Sequence, residues 1–298
     1  QVPNMASDSW WEAFPQISKE TLREIRINID SSYRDFSREY GQALEDFSDP
    51  LLQFLIWLEN LMILSPWPFV LATLLGLAWA GSRSIKVVVG ITISLSLIGI
   101  FGMWEDTMRT LSITAVCTLV SIVLGLPIGI LMAKSNAIRN FVTPILDVMQ
   151  TMPSFVYLIP VVMLLGIGKV PGLMAVVIYA IPPMIRLTDL GIRHVDKAVL
   201  EAAESFGCTS WQKLRYVQLP LALPSIFAGV NQTIMMALAM VVIASMIGVN
   251  GLGQPVLKAI TNQYFTMGLM NGLAIVALAI AFDRVSQSFG RRLQHSQD

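Results

Sequence analysis

Long apolar runs separated by short polar breaks fill the chain from about residue 66 onward. Residues 111–133 and 221–247 contain no Lys, Arg, Asp or Glu, and each run exceeds the ~20 residues that a helix needs to cross a membrane. Breaks at charged, Gly and Pro positions predict seven spans. The spans are residues 66–82, 86–103, 110–133, 142–166, 171–188, 222–247 and 267–284. The pattern predicts an all-α polytopic membrane protein.

Composition supports the same class. Of the 298 residues, 54% are hydrophobic and only 13% are charged, whereas soluble domains carry about 25% charged residues. Cys117 lies in a predicted span and Cys208 in a polar loop, which suggests neither a disulfide nor a metal site. No basic flank with a short apolar stretch follows Gln1, so we expect no cleavable signal peptide. We also expect no nucleic-acid partner.

The N-terminal region has a different pattern. Between residues 22 and 47, apolar residues recur at spacings of three and four with charges between them, which predicts an amphipathic helix that packs on the membrane domain or lies among lipid headgroups. Pro50 then opens residues 51–64, a segment that Gln53, Glu59 and Asn60 make too polar to span comfortably. We interpret that segment as interfacial. If it crossed the membrane, the chain would have eight spans.

The distribution of charge predicts an orientation. Residues 1–49 hold ten acidic and five basic residues, and the remainder holds ten acidic and fifteen basic residues. With seven spans and an extracytoplasmic N-terminus, twelve Lys and Arg residues of the membrane domain face the cytoplasm and three face outward. This predicts an acidic extracytoplasmic tail over 1–64, a transmembrane domain over 65–290 and a cytoplasmic tail over 291–298. With eight spans, the N-terminal tail would be cytoplasmic.

The longest polar interruption of the membrane domain, at about 189–221, is a predicted cytoplasmic loop. Residues 199–206 are good helix formers, and Gly207 is suited to the left-handed conformation that ends a helix. Thr209 and Gln212 have the spacing of a capping box for a second helix, which we expect Pro220 to end. The loop is therefore predicted to be two short helices joined by a glycine bend.

The spacing within this loop resembles a known family. Glu201-Ala202-Ala203, then Gly207, then Val217-Gln218-Leu219-Pro220 are similar to the EAA loop of binding-protein-dependent ABC importer permeases. The one departure is Val217, where that pattern has Ile, a loss of one methylene. The resemblance implies a type I ABC importer (MetI-like) permease fold in a bacterial inner membrane.

The resemblance also implies partners and a coupling role. The EAA loop would act as a coupling helix in a groove of an ATPase subunit, present in two copies. A second permease copy, as a homodimer, and a soluble or periplasmic substrate-binding protein would complete the importer. The chain lacks the Walker A pattern, so ATP and Mg are expected on the partner ATPase and no cofactor on this chain. The expected coupling residues are Glu201, Ala202, Ala203, Gly207, Trp211, Leu219 and Pro220.

Other segments resemble the quaternary-amine permeases of that family. They are 149–160, 166–172, 229–233 and 241–253, and the resemblance implies transport of glycine betaine or proline betaine. Trimethylamine N-oxide, choline and carnitine remain alternatives. Polar groups within a span are costly unless they face a cavity or a partner helix, and ring faces attract a quaternary ammonium. The candidate passage residues are Gln150, Thr151, Phe155, Tyr157, Tyr179, Asn231, Gln232 and Thr233.

Two other function classes have weaker support. An ion-coupled secondary transporter is expected to bury an acid at mid-membrane, yet Asp147, Asp189 and Asp283 fall near the predicted cytoplasmic ends of spans. A membrane enzyme needs a converging set of catalytic side chains, and the only histidines are His194 and His295. We therefore expect no catalytic residues and no metal site.

Overall fold

The computed structural model describes residues 17–295, and no strand occurs within that range. Residues 1–16 of the predicted acidic tail and residues 296–298 of the predicted cytoplasmic tail lie outside the described residues. The α-helices are α1 (Lys19–Leu64), α2 (Trp67–Ser82), α3 (Ile85–Ile100), α4 (Trp104–Lys134), α5 (Asn136–Thr151), α6 (Leu158–Leu165), α7 (Lys169–Arg193), α8 (Lys197–Ser205), α9 (Ser210–Lys213), α10 (Leu219–Ala244), α11 (Gly253–Asn262) and α12 (Phe265–His295).

Each of the seven predicted spans corresponds to helix, but the helices differ in length. Within the described range, five are long and apolar enough to cross a membrane: α1, α4, α7, the continuous helix Ser210–Ile247 and α12. Helices α2 and α3 have 16 residues each, which rise about 24 Å against a hydrocarbon core of about 30 Å. The predicted span 142–166 is broken, since α5 and the segment Ser154–Leu165 meet at 112°.

The N-terminal prediction of two separate helices is wrong. Helix α1 continues through Pro50 for 46 residues, so residues 51–64 are its last turns and not a separate helix. A proline inside a helix removes one hydrogen bond, here the one that the Asp46 carbonyl would accept. Two residues before Pro50, the Ser48 hydroxyl donates to the carbonyls of Leu44 (2.8 Å) and Glu45 (3.0 Å), about one turn back along the helix.

Helix α1 packs on the bundle along one side. The Tyr33 hydroxyl donates to the carbonyl of Pro160 in α6, and nearer its C-terminus Leu55 is fully buried against α4 and α7. Glu59, which is 7% exposed, forms an ion pair with Lys169 at the start of α7. The apolar stripe of residues 22–47 stays largely exposed, with Phe47 83% exposed. The helix is therefore anchored at Tyr33 and again near its C-terminus, and it leaves an amphipathic face open.

Helix α7 forms the centre of the bundle. Its buried side chains pack between α4 and α10, and α1 closes part of the same core. Close approach depends on glycine, because a Cβ added at Gly125 would lie 2.9 Å from Met184 Cγ and one at Gly129 would lie 2.7 Å from the Ile185 carbonyl oxygen. Small residues let helices pack tightly where lipid offers no hydrophobic driving force. The glycine pair therefore allows the close packing of α4 on α7.

The bundle has two ends, which the loops define. At the loop end, α7 ends at Arg193 and the polar loop begins. At the opposite end, Lys169 meets Glu59, and the Leu252 amide donates to Thr110 Oγ1 at 2.9 Å. Helices α4 and α7 both run toward the loop end, and α10 runs back from it.

Candidate functional site

The predicted glycine bend is present at the loop end. Helix α8 begins after Asp196, whose side chain accepts from the Ala198 amide at 2.9 Å, and it ends at Ser205. Gly207 has φ of +79°. Its amide donates to the Glu204 carbonyl at 2.9 Å. The next amide, of Cys208, donates to the Ala203 carbonyl at 3.1 Å, which completes the paired bonds of a Schellman motif.

Glycine is needed in this bend for its backbone conformation. A Cβ added at Gly207 would meet no heavy atom within 4 Å, so space does not limit the residue. A left-handed φ costs other residues about 1–2 kcal/mol. Immediately after the bend, the predicted capping box is confirmed. The Gln212 amide donates to Thr209 Oγ1 at 3.3 Å, and the Thr209 amide donates to Gln212 Oε1 at 2.8 Å.

The second limb of the loop does not end at Pro220, contrary to the sequence prediction. Helix α9, a π-helical turn over Leu214–Gln218 and α10 form one continuous helix to Ile247. In the π turn the Leu219 amide donates to the Leu214 carbonyl, five residues back. Pro220 directly follows this π turn and does not interrupt the helix. The loop is thus joined to a membrane helix without a break in the helix.

The loop forms a compact knob with a buried base and an exposed tip. We call Lys197–Leu214 the knob. Ala203 and Leu214 are buried, while Glu201 and Ala202 are exposed and Trp211 is 61% exposed. Lys213 pairs with Glu204 across the bend. The Lys134 ammonium at the end of α4 lies 5.5 Å from the ring centroid of Trp211.

A charged network that the sequence analysis did not predict holds the base of the loop. Asp189 is 4% exposed, and its carboxylate accepts from Arg193 Nε at 2.8 Å and lies 3.2 Å from Arg139 Nε. Arg193 also donates to the Met132 carbonyl at 2.6 Å and to Asn136 Oδ1 at 2.8 Å. The network joins the end of α7 to the turn between α4 and α5. The spacing of Asp189 and Arg193 by four residues was its one visible signal in the sequence.

The structure divides the first five candidate passage residues into two groups. Gln150 and Thr151 at the end of α5 and Phe155 just after it are exposed. Tyr157 is 5% exposed, and its ring meets Tyr179 edge to face at 5.7 Å. The Tyr157 hydroxyl donates to the Met149 carbonyl across the bend between α5 and α6. Tyr157 therefore packs in the core and closes the bend.

The three candidates on α10 face in different directions. Gln232 is exposed, whereas Thr233 is fully buried. Asn231 Nδ2 donates to Asp283 Oδ1 of α12 at 3.0 Å, and Gln287 Nε2 donates to the same carboxylate at 2.7–2.8 Å. Asn231 thus makes an interhelical hydrogen bond, one of the two roles expected for it. It also lines a cleft of about 340 Å³ between α10 and α12.

The arrangement of these helices matches a known class of transport subunit. The bundle is similar to a chain of the MetNI methionine ABC transporter in an inward facing conformation, with a TM-score of 0.58 at 21% identity. The match covers 65% of this chain and 97% of that chain. The fold is therefore that of a type I ABC importer permease.

Sequence comparison places the chain within a family of that class. The model of the "Binding-protein-dependent transport system inner membrane component" family matches residues 125–295. The chain belongs to this family, and it is a transport subunit of the membrane, not an enzyme.

Two curated relatives align with more than three quarters of the chain. The glycine betaine/carnitine transport permease protein GbuB of Listeria monocytogenes is 46% identical over 238 residues, which are 79% of this chain and 84% of GbuB. The glycine betaine/proline betaine transport system permease protein ProW of Escherichia coli is 47% identical over 233 residues, which are 78% of this chain and 66% of ProW.

Proposed function

We propose that this chain is the permease subunit of an ATP-driven importer of quaternary-amine osmolytes of the glycine betaine and proline betaine type. The observation that carries the proposal is the identity of 46–47% with permeases named for glycine betaine. A relative named as a trimethylamine N-oxide permease is less similar, at 35% identity. Trimethylamine N-oxide, choline and carnitine are therefore the alternative cargoes.

The knob is the proposed contact for an ATPase subunit, of which the complete importer would hold two copies. Glu201, Ala202 and Trp211 are exposed at its tip, where a soluble partner has access. Ala203 and Gly207 give the knob its shape. The residues that join it to α10, Leu219 and Pro220, lie inside a helix of 38 residues. Movement of the knob would therefore move α10 as a unit.

The movement would reach the proposed substrate passage without a flexible joint. Asn231, Gln232 and Thr233 lie on the same continuous helix as Trp211. Gln232 is exposed and has no hydrogen-bond partner among the described residues. An amide at membrane depth requires a polar surrounding. A second copy of the chain or a wetted passage between two copies would supply it.

The orientation follows from the same proposal. The knob must face the cytoplasm to meet an ATPase, so Lys169 and residues 248–252 at the opposite end would face outward. Helix α1 is anchored at two points: Tyr33 contacts α6, and Glu59 contacts Lys169 at the start of α7. These contacts support an extracytoplasmic α1. A binding protein would deliver the substrate at that face. ATP and Mg would be held by the partner ATPase and not by this chain.

Reconstitution with the partner subunits tests the function directly. The permease, its ATPase and its binding protein would be placed in proteoliposomes containing ATP. Uptake would be measured for glycine betaine, proline betaine, trimethylamine N-oxide, choline and carnitine. We expect the two betaines to be carried with the highest kcat/KM. Uptake that required an ion gradient and not ATP would refute the proposal, and preference for another amine would correct its cargo.

A further inference from the structure

A groove that the transport function does not use lies between α3 and α12. It is a cleft of about 330 Å³ that begins near the loop end of the bundle. Its wall on α3 includes Lys86, Gly90 and Ser94, and its wall on α12 includes Ala277 and Arg284. The groove is separate from the knob and from the candidate passage residues.

Two cations stand at the mouth of this groove without an acidic partner. Lys86 and Arg284 are both exposed, and neither forms an ion pair among residues 17–290. Residues 65–104 contain no Asp or Glu. The one acid beside Arg284 along α12 is Asp283, whose carboxylate accepts from Asn231 and Gln287 on the face toward α10. The mouth therefore carries an uncompensated positive charge.

Below the cations, the groove is apolar and open. A Cβ added at Gly90 would meet no heavy atom within 4 Å, so the glycine leaves a channel in the α3 wall. Ile91, Ala277 and Ala281 supply apolar surface along the floor. From Lys86 to Ser94 the wall rises about 12 Å along α3, comparable with several methylene groups of an acyl chain. The groove combines a cationic mouth with an apolar channel.

The cations lie at the depth of a lipid headgroup. Arg284 follows Phe265, the first residue of α12, by nineteen positions, which correspond to a rise of about 28 Å. This distance nearly equals the hydrocarbon thickness of about 30 Å. Lys86 is the second residue of α3 and lies at the same end of the bundle. Basic pockets between membrane helices at this depth suit anionic headgroups.

We propose that this groove binds one anionic diacyl phospholipid. Its phosphodiester lies between Lys86 and Arg284, and one acyl chain follows the channel past Gly90. A headgroup with a net negative charge, such as phosphatidylglycerol, is preferred because the mouth holds two cations and no acid. A zwitterionic headgroup also carries its own cation, which these residues repel. The bound lipid joins α3 to α12 on the side remote from α7.

Native mass spectrometry of the full-length chain tests the proposal. The protein, purified in detergent, would be titrated with phosphatidylglycerol or with phosphatidylcholine of identical acyl chains. The Lys86→Gln/Arg284→Gln variant removes both cations, and Gly90→Leu fills the channel but leaves the cations. Lys19→Gln/Lys258→Gln removes two exposed cations elsewhere, and Gly76→Leu adds the same bulk on α2, where a Cβ also meets open space.

The expected result is one tightly held phosphatidylglycerol on the unmodified chain and on both control variants. Affinity should fall about fivefold for each cation removed, and Gly90→Leu should lose the adduct. Three results would overturn the proposal: equal binding of phosphatidylcholine, binding that survives both groove variants, or displacement by glycerophosphoglycerol, which has the headgroup but no acyl chains. Thermal melting checks that each variant is folded. If the charge variant fails to fold, the loss or retention of the phosphatidylglycerol adduct on Gly90→Leu alone tests the proposal.

Discussion

Lys213 forms an ion pair with Glu204 across the bend at Gly207, nine residues apart in sequence. The pair joins the two limbs of the knob. Because Lys213 leads through a π turn into α10, Glu204 is tied to the same continuous helix. The two limbs are therefore expected to move together when an ATPase presses on one of them.

Exchanging these charges tests whether the limbs move as a unit. Glu204→Gln should lower ATP-coupled uptake by a factor of about two to five, the range for an exposed ion pair. The exchanged variant Glu204→Lys/Lys213→Glu should recover most of the uptake, since it restores attraction with opposite signs. Uptake and substrate-stimulated ATPase activity in proteoliposomes provide the readout. No recovery in the exchanged variant would count against a mechanical role for the pair.

A second prediction concerns the conformation of Gly207. Gly207→Ala should destabilise the fold by about 1 kcal/mol, because alanine must adopt a left-handed φ. It should also reduce coupled uptake, because relaxing the strain would change the angle between the limbs. Gly207→Asn should retain more uptake, since asparagine tolerates that conformation better. Both uptake and thermal stability would be measured.

Gly102 offers a matched control for this prediction. Its φ is +76° and a Cβ there meets no heavy atom within 4 Å, much as at Gly207, but it lies between α3 and α4, far from the knob. Gly102→Ala should cost similar stability and leave coupling intact. If the two alanine variants lose uptake equally, the effect of Gly207 is one of stability and not of coupling.

The knob was predictable because its determinants are local. Gly207 and the capping box of Thr209 and Gln212 each act within a few residues of sequence, so their spacing indicates the bend directly. The prediction that Pro220 ends the second helix was wrong. Whether a proline ends a helix depends on the backbone around it, and the π turn before Pro220 has no distinct sequence signal. Local rules therefore gave the shape of the bend but not the continuity of the second limb.

The features that were missed depend on distant contacts. Helix α1 continues through Pro50 while Leu55 and Glu59 pack against other helices, and no local pattern predicts that packing. The network around Asp189 likewise requires Arg139 from α5. The sequence left two roles open for Asn231, and only the fold brings it into hydrogen-bond contact with Asp283. Tertiary packing decides each of these cases.

The Asp189 network supports a prediction about stability. Asp189→Asn keeps the shape of the side chain but leaves Arg193 and Arg139 without their shared carboxylate. Since Asp189 is 4% exposed, we expect a loss of about 3 kcal/mol, typical of breaking a buried ion pair. Asp147→Asn is the control. Its side chain is 58% exposed and pairs with Arg186, so the loss should stay below about 1 kcal/mol. Thermal denaturation of the purified variants gives the comparison, and equal losses would contradict the assigned role of burial.

The last prediction concerns the bend between α5 and α6. The Tyr157 hydroxyl donates to the Met149 carbonyl, which links the two sides of a 112° turn. Tyr157→Phe should cost about 1 kcal/mol, the usual contribution of one hydrogen bond, and hydrogen exchange should rise at residues 149–157. Tyr179→Phe changes the ring that meets Tyr157 edge to face, but its hydroxyl has no hydrogen-bond partner among the described residues. That variant should therefore leave both measurements unchanged. If Tyr179→Phe increased exchange as much as Tyr157→Phe, ring packing and not the hydroxyl would hold the bend.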